Sequence, residues 1–132
     1  MLTRLDHLVL NVADIDRTVD FYTRVFGLDV RYGEQGRVFL VAGSVQIKLH
    51  GPDFEAHPRA SRPTPGSADL CFISALPVDE LTRHLEALNI TIEEGPVPRH
   101  GAAGELTSFY VRDPDGNLVE LARPVRTSST SA

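Results

Sequence analysis

Apolar and polar positions recur along the chain in an order that is written twice. The run Leu5-Asp6-His7-Leu8-Val9-Leu10-Asn11-Val12 is apolar and β-branched, and it ends at the turn formers Ala13-Asp14, so it predicts a strand. Asp14 then suits a helix N-cap, because its side chain can accept an orphan backbone N–H. Ile15, Val19, Tyr22, Val25 and Phe26 fall on one helical face, and Gly27 supplies a left-handed residue to end the helix. Three strands are expected next, over residues 28–32, 38–41 and 45–50. Glu34-Gln35-Gly36 and Ala42-Gly43-Ser44 are short enough to be hairpin turns between them.

The second half repeats this βαβββ order. Residues 68–73 read as a strand, and Val78, Leu81, Leu85 and Leu88 mark a helical face that ends at Asn89. Strands are expected over 91–94, 107–111 and 118–122, the last two joined by the turn Asp113-Pro114-Asp115-Gly116. His7 to Asp69 and Gly27 to Asn89 share one offset of 62 residues. Gly43 and Gly116 are 73 apart, so the second copy carries extra residues, assigned to an inserted segment over 95–104. An internal repeat of this size implies a duplicated unit. The expected fold class is α+β, with two βαβββ modules in one chain. A single domain over 1–132 is expected, with module one at 3–50, a linker at 51–67, module two at 68–123 and a flexible tail at 124–132. The linker holds four prolines, which forbid a helix or central strand.

Alternation divides each strand into two faces. Leu8 and Leu10 oppose His7; Val45, Ile47 and Leu49 oppose Gln46, Lys48 and His50. Leu70 and Phe72 oppose Asp69 and Cys71; Val119 and Leu121 oppose Glu120. For any one strand the polar face could simply meet water. The repeat changes that reading, because pseudo-symmetric copies would gather these positions in one cavity. His7 and Glu120 suit a divalent metal, with Asp69 or His50 as a third ligand. Lys48, the one lysine of the chain, would repel the cation, so either it turns away or the metal site is incomplete. Cys71 reads as a packed small residue, and His57 and His84 as surface residues.

Composition narrows the classes. The 132 residues carry a net charge of −5 and a single cysteine, so no intrachain disulfide or multi-cysteine zinc cluster is expected. No basic block and no tryptophan point to nucleic acid, and no apolar run predicts a membrane span, so a cytoplasmic protein is expected. Residues 1–66 are balanced at 8 basic and 8 acidic side chains, while 67–132 hold 5 and 10. The acidic excess belongs to the second half, and two of its members, Asp69 and Glu120, lie on the proposed cavity face.

The motifs Leu5-Asp6-His7-Leu8-Val9-Leu10, Phe21-Tyr22 with Phe26-Gly27-Leu28, and the run from Ser108 through Asp113-Pro114-Asp115-Gly116-Asn117 to Glu120 resemble the vicinal oxygen chelate superfamily. That group holds glyoxalases, fosfomycin- and bleomycin-resistance proteins and extradiol dioxygenases. Residues 62–72 with 94–99 further resemble the branch named for glyoxalase domain-containing protein 5. The resemblance implies that the modules form an open, curled mixed sheet, a half barrel with a central cavity. It implies metal positions at His7, Lys48, Asp69 and Glu120, with Asp69 standing where His is usual and Lys48 where glyoxalase I has Glu. Lys48 therefore argues against glyoxalase I chemistry, which uses that Glu as a base. Three ligands, His7, Asp69 and Glu120, would still leave room for a bidentate oxygen ligand. The resemblance also implies a homodimer and a substrate contact at Tyr110, which could equally be plain core. Arg99 and His100 lie in the inserted segment, which could close over the cavity mouth and bind an anionic substrate or be a solvated loop.

The function expected is a metal-dependent lyase, isomerase or extradiol-type dioxygenase acting on a small substrate that chelates the metal through vicinal oxygens. Glu120, Lys48 and His50 are its candidate catalytic groups, and the metal is Mn, Fe, Ni, Zn or Mg. The alternative is a metal-free small-molecule or antibiotic binder of the bleomycin-resistance kind.

Overall fold

The computed structural model of the protein describes residues 1–125. Its elements run β1 (His7–Asn11), α1 (Ile15–Arg24), β2 (Asp29–Tyr32), β3 (Val38–Ala42), β4 (Val45–His50), β5 (Asp69–Ile73), α2 (Val78–Ala87), β6 (Glu94–Gly101), β7 (Gly104–Arg112) and β8 (Leu118–Pro124). The βαβββ order thus occurs twice, and the fold class is α+β. Two compact units carry the copies: Met1–Ala68 with Asp113–Asn117, and Asp69–Arg112 with the chain from Leu118 onward.

Local chemistry accounts for the helices. Asp14 caps α1 by accepting the Arg17 N–H at 3.1 Å. Phe21, Tyr22 and Val25 are buried, and α1 lies against β2 and β3. Gly27 (φ 69°) and Asn89 (φ 57°), the two expected terminators, both take the left-handed conformation. α2 buries Leu81 and Leu85. Pro77 precedes it without a side-chain cap; a proline there loses nothing, since the first helical N–H groups have no intrahelical acceptor.

The first unit's sheet has the order β1-β4-β3-β2, and the second unit's β5-β8-β7-β6. In each, the first and last strands of the repeat are parallel and the other pairs antiparallel. Each sheet is open, with the repeat's first strand at one edge. Alternation holds in both. Leu10, Leu40, Ile47 and Leu49 are buried in the first unit, and Phe109, Val111, Val119 and Leu121 in the second.

One element differs from expectation. The sixth strand is not residues 91–94 but Glu94–Gly101, and the inserted segment is not a loop. It forms a hairpin with β7 that turns between Gly101 and Gly104. Pro96 and Pro98 conceal the strand, because a proline lacks the N–H of a ladder. β6 is an edge strand, where that loss is tolerated. At the other end, Pro124 belongs to β8, and the Val125 N–H donates to the Glu105 carbonyl at 2.9 Å. The remainder of the expected tail, residues 126–132, lies outside the described residues. Residues 51–67 contain neither helix nor strand.

The turn Asp113–Asn117 is fixed within the first unit. The Asp113 carboxylate accepts from the Tyr22 hydroxyl at 2.8 Å, the Asn117 side chain at 2.8 Å, and the backbone N–H groups of Asp115 and Asn117 at 2.9 Å each. Asn117 Oδ1 accepts from the Ala68 N–H, and Asp115 from that of Ala13. Tyr22 is fully buried; burial first, then the charge of Asp113, push its phenol up, so it remains a donor.

Candidate functional site

In the first unit, β1 and β4 pair in parallel with His7 across from Gln46, Val9 from Lys48 and Asn11 from His50. Paired residues share a face, so His7, Gln46, Lys48 and His50 all stand opposite the buried Leu10, Ile47 and Leu49. Lys48 does not turn to the core. His7 Nδ1 lies 2.9 Å from Asp6 Oδ2. With a proton on that nitrogen, Nε2 keeps a lone pair for another partner. The same bond, with the nearby cations Arg4 and Lys48, holds the Asp6 carboxyl below the usual carboxylate range. His50 stacks on Phe54, with ring centroids 4.1 Å apart and planes at 23°. Burial lowers its pKa, and the cations Lys48 and Arg37 lower it further. His50 is thus a neutral imidazole at pH 7.

In the second unit, Cys71 pairs with Glu120 and Glu120 with Tyr110. Asp69 is two residues before Cys71 and shares its face. Ser108, fully buried, reaches Glu120 from β7: its Oγ donates to Oε2 at 2.6 Å. Cys71 is exposed rather than packed. The part of the side chain that is desolvated against its neighbours, and then the nearby Glu120 and Asp69, push its thiol up to about 11. It is a neutral donor beside Glu120, not a nucleophile. Arg99 Nε donates to the Tyr110 hydroxyl at 2.8 Å, and its Nη2 is 3.6 Å from Glu94. The Tyr110 contact raises the Arg99 pKa, which keeps it cationic.

Each unit therefore gathers its own expected residues on one sheet face: His7, Lys48 and His50 in the first, Asp69, Glu120, Tyr110 and Arg99 in the second. His100 is separated from them. It pairs with Glu105 on the opposite face of the β6–β7 hairpin from Arg99. A groove of about 380 Å³ runs along this hairpin, lined by Val97, Arg99, His100, Leu106 and Val125 among others. Among the described residues, no three His, Cys, Asp or Glu side chains within one unit stand close enough to hold a metal. His57 is exposed, and His84 on α2 is half-buried.

The sequence reading passed over Asp6 and Ser108 as site residues. Ser108 could have been found from alternation alone, since it lies two residues before Tyr110 and so shares its face.

Residues 4–121 match the family described as the Glyoxalase/Bleomycin resistance protein/Dioxygenase superfamily. The chain belongs to this superfamily. It is 48% identical over 125 residues to the virulence protein STM3117 of Salmonella typhimurium, covering 95% of this chain and 87% of that one. A glyoxalase domain-containing protein, RDO1 of Mycosarcoma maydis, is 48% identical over 118 residues, 89% of this chain but 66% of the relative. Superposition agrees: the crystal structure of STM3117 matches with a TM-score of 0.91 over 95% of this chain and 99% of that chain. A superfamily structure with a named activity, the lactoylglutathione lyase of Agrobacterium tumefaciens, matches at 0.70 with 29% identity, over 93% of this chain and 95% of that chain. No described helix is long and apolar enough to cross a membrane.

Proposed function

We propose that the protein is a metal-dependent enzyme that acts on a small substrate chelating the metal through vicinal oxygens, with His7, Asp69 and Glu120 as the protein ligands. The observation that carries this reading is the His7–Asp6 contact. A metal-ligating histidine characteristically gives its other ring nitrogen to a carboxylate, which fixes the tautomer and turns the free nitrogen outward. One imidazole and two carboxylates form a hard donor set, which fits Mn²⁺, Fe²⁺ or Mg²⁺ better than Zn²⁺ or Ni²⁺. Once bound, such an ion would act as a Lewis acid on the substrate oxygens.

The remaining roles belong to the chain's own side chains. Lys48 supplies a cation on the His7 face for an anionic substrate group. His50, neutral at pH 7, takes a proton from the substrate or returns one. Arg99, braced by Tyr110, anchors a second anionic group, and we assign this role to Arg99 ahead of His100, which lies on the other sheet face. Relatives include a biphenyl-2,3-diol 1,2-dioxygenase of Rhodococcus globerulus (32% identical over 120 residues) and lactoylglutathione lyases. They support the dioxygenase and the lyase or isomerase readings alike. The motifs at 62–72 and 94–99 support placement in the glyoxalase domain-containing protein 5 branch. We place the protein in the cytoplasm, as the sequence suggests, and by analogy with the superfamily it is a homodimer.

Lys48 on the His7 face favours a second reading, in which that cation takes the place of a metal and the protein binds an anionic small molecule without one. Metal titration separates the two. The purified protein should take up Mn²⁺ stoichiometrically, and His7→Ala and Glu120→Gln should each abolish tight uptake. No uptake by the wild type would overturn the enzyme reading and leave the binding protein. For an Mn- or Fe-loaded protein, catechol turnover under oxygen against hemithioacetal turnover without it then assigns the reaction class.

A further inference from the structure

Glu120 is only half-buried, yet one of its oxygens is not left to water. Ser108 has no exposed surface and holds Glu120 Oε2 at 2.6 Å, a short separation expected of a hydroxyl donating to a carboxylate. The pair crosses from β7 to β8, where Ser108 is directly opposite Ala122 and Tyr110 is directly opposite Glu120. Ser108 therefore reaches Glu120 along a diagonal, and Ala122, fully buried, presents no polar group that could compete for its hydroxyl. On the other flank stands Cys71, and a thiol is a weak donor. Among these neighbours Ser108 is the strong donor with a fixed position.

We propose that Ser108 is a positioning residue for Glu120. By occupying Oε2 from the neighbouring strand, it fixes the carboxylate rotamer and reserves Oε1 for the ligand that Glu120 binds. It plays for Glu120 the part that Asp6 plays for His7. This rests on the reading of Glu120 as a metal ligand, and it adds that the ligand is held ready before any ion arrives. Rigidity is the consequence. A carboxylate already fixed loses little conformational freedom on binding, and it is held to one oxygen, which leaves more of the coordination sphere to the substrate.

The test is Mn²⁺ titration of the full chain, following heat or the electron paramagnetic resonance of free Mn²⁺, on wild type, Ser108→Ala and Ser108→Cys, with thermal unfolding of each metal-free protein alongside. Ser108→Ala should weaken Mn²⁺ binding by roughly 10- to 100-fold, while the metal-free unfolding midpoint falls by no more than the loss of a single hydrogen bond accounts for. Ser108→Cys, a weaker donor of similar shape, should fall between. Equal Mn²⁺ affinity in wild type and Ser108→Ala would overturn the positioning role and leave the metal reading intact. A loss of affinity that tracks a midpoint lowered beyond that limit in both variants would make Ser108 a packing residue and also overturn it. A wild type that takes up no Mn²⁺ would overturn both readings at once.

Discussion

At His50, stacking and charge act in the same direction. Burial, to which contact with the Phe54 ring contributes, disfavours the imidazolium, and Lys48 and Arg37 add repulsion, so the pKa lies below its ordinary 6.5. The sign for stability follows. A base harder to protonate in the folded than in the unfolded chain leaves the unfolded chain holding more protons. This contribution therefore costs stability as pH falls through the unfolded value near 6.5, and the loss stops growing beneath the folded value. Phe54→Ala should return the pKa toward 6.5 in a titration of the His50 ring resonances. A value that stays put would assign the shift to the cations, and Lys48→Gln would then be the variant that moves it. Some of this scale was legible in the sequence. His7, Lys48, Glu120 and Asp69 could be put on one face of their strands by alternation, with no knowledge of pairing. The bonds between Asp6 and His7 and between Ser108 and Glu120 could not, because they depend on rotamers and on the register between strands, which one sequence does not state.

At the scale of elements, the helices and seven of the strands follow from apolar periodicity and from terminators that tolerate positive φ. β6 escaped because its signal is Gly-Pro-Val-Pro, which argues for a break. What makes a strand of it is the pairing with β7, a tertiary effect. Gly95 shows how tight that pairing is. Its φ is +127°, and a Cβ there would come within 2.5 Å of the Ser108 carbonyl oxygen and 2.8 Å of the Phe109 Cα. Both contacts are backbone, so no side-chain rotation relieves them. Gly95→Ala should destabilise the protein by roughly 2 kcal/mol or more in urea unfolding. It should also disturb the Ser108 side of the candidate site. An unchanged urea midpoint would mean that the hairpin shifts freely, contrary to the close approach.

For the whole molecule, the repeat offset of 62 residues revealed two copies, but not that a turn between two strands of the second copy, Asp113–Asn117, belongs to the first unit. The sequence signal of that segment is an ordinary turn; its four acceptor bonds at Asp113 are seen only in the fold. Removing the phenol by Tyr22→Phe should cost about 1–3 kcal/mol, and Asp113→Ala, which orphans several buried donors together, roughly 3 kcal/mol or more. Equilibrium denaturation of both variants and of the double mutant checks this. Losses that simply add would show that the two residues do not act as a pair. The same turn sets an order on biosynthesis. A nascent chain holding residues 1–68 has every helix and strand of the first unit, but its Tyr22 hydroxyl has no Asp113 and its Ala68 N–H has no Asn117. The first unit reaches its final form only when residues 113–117 have left the ribosome, so its completion waits on the synthesis of most of the second copy.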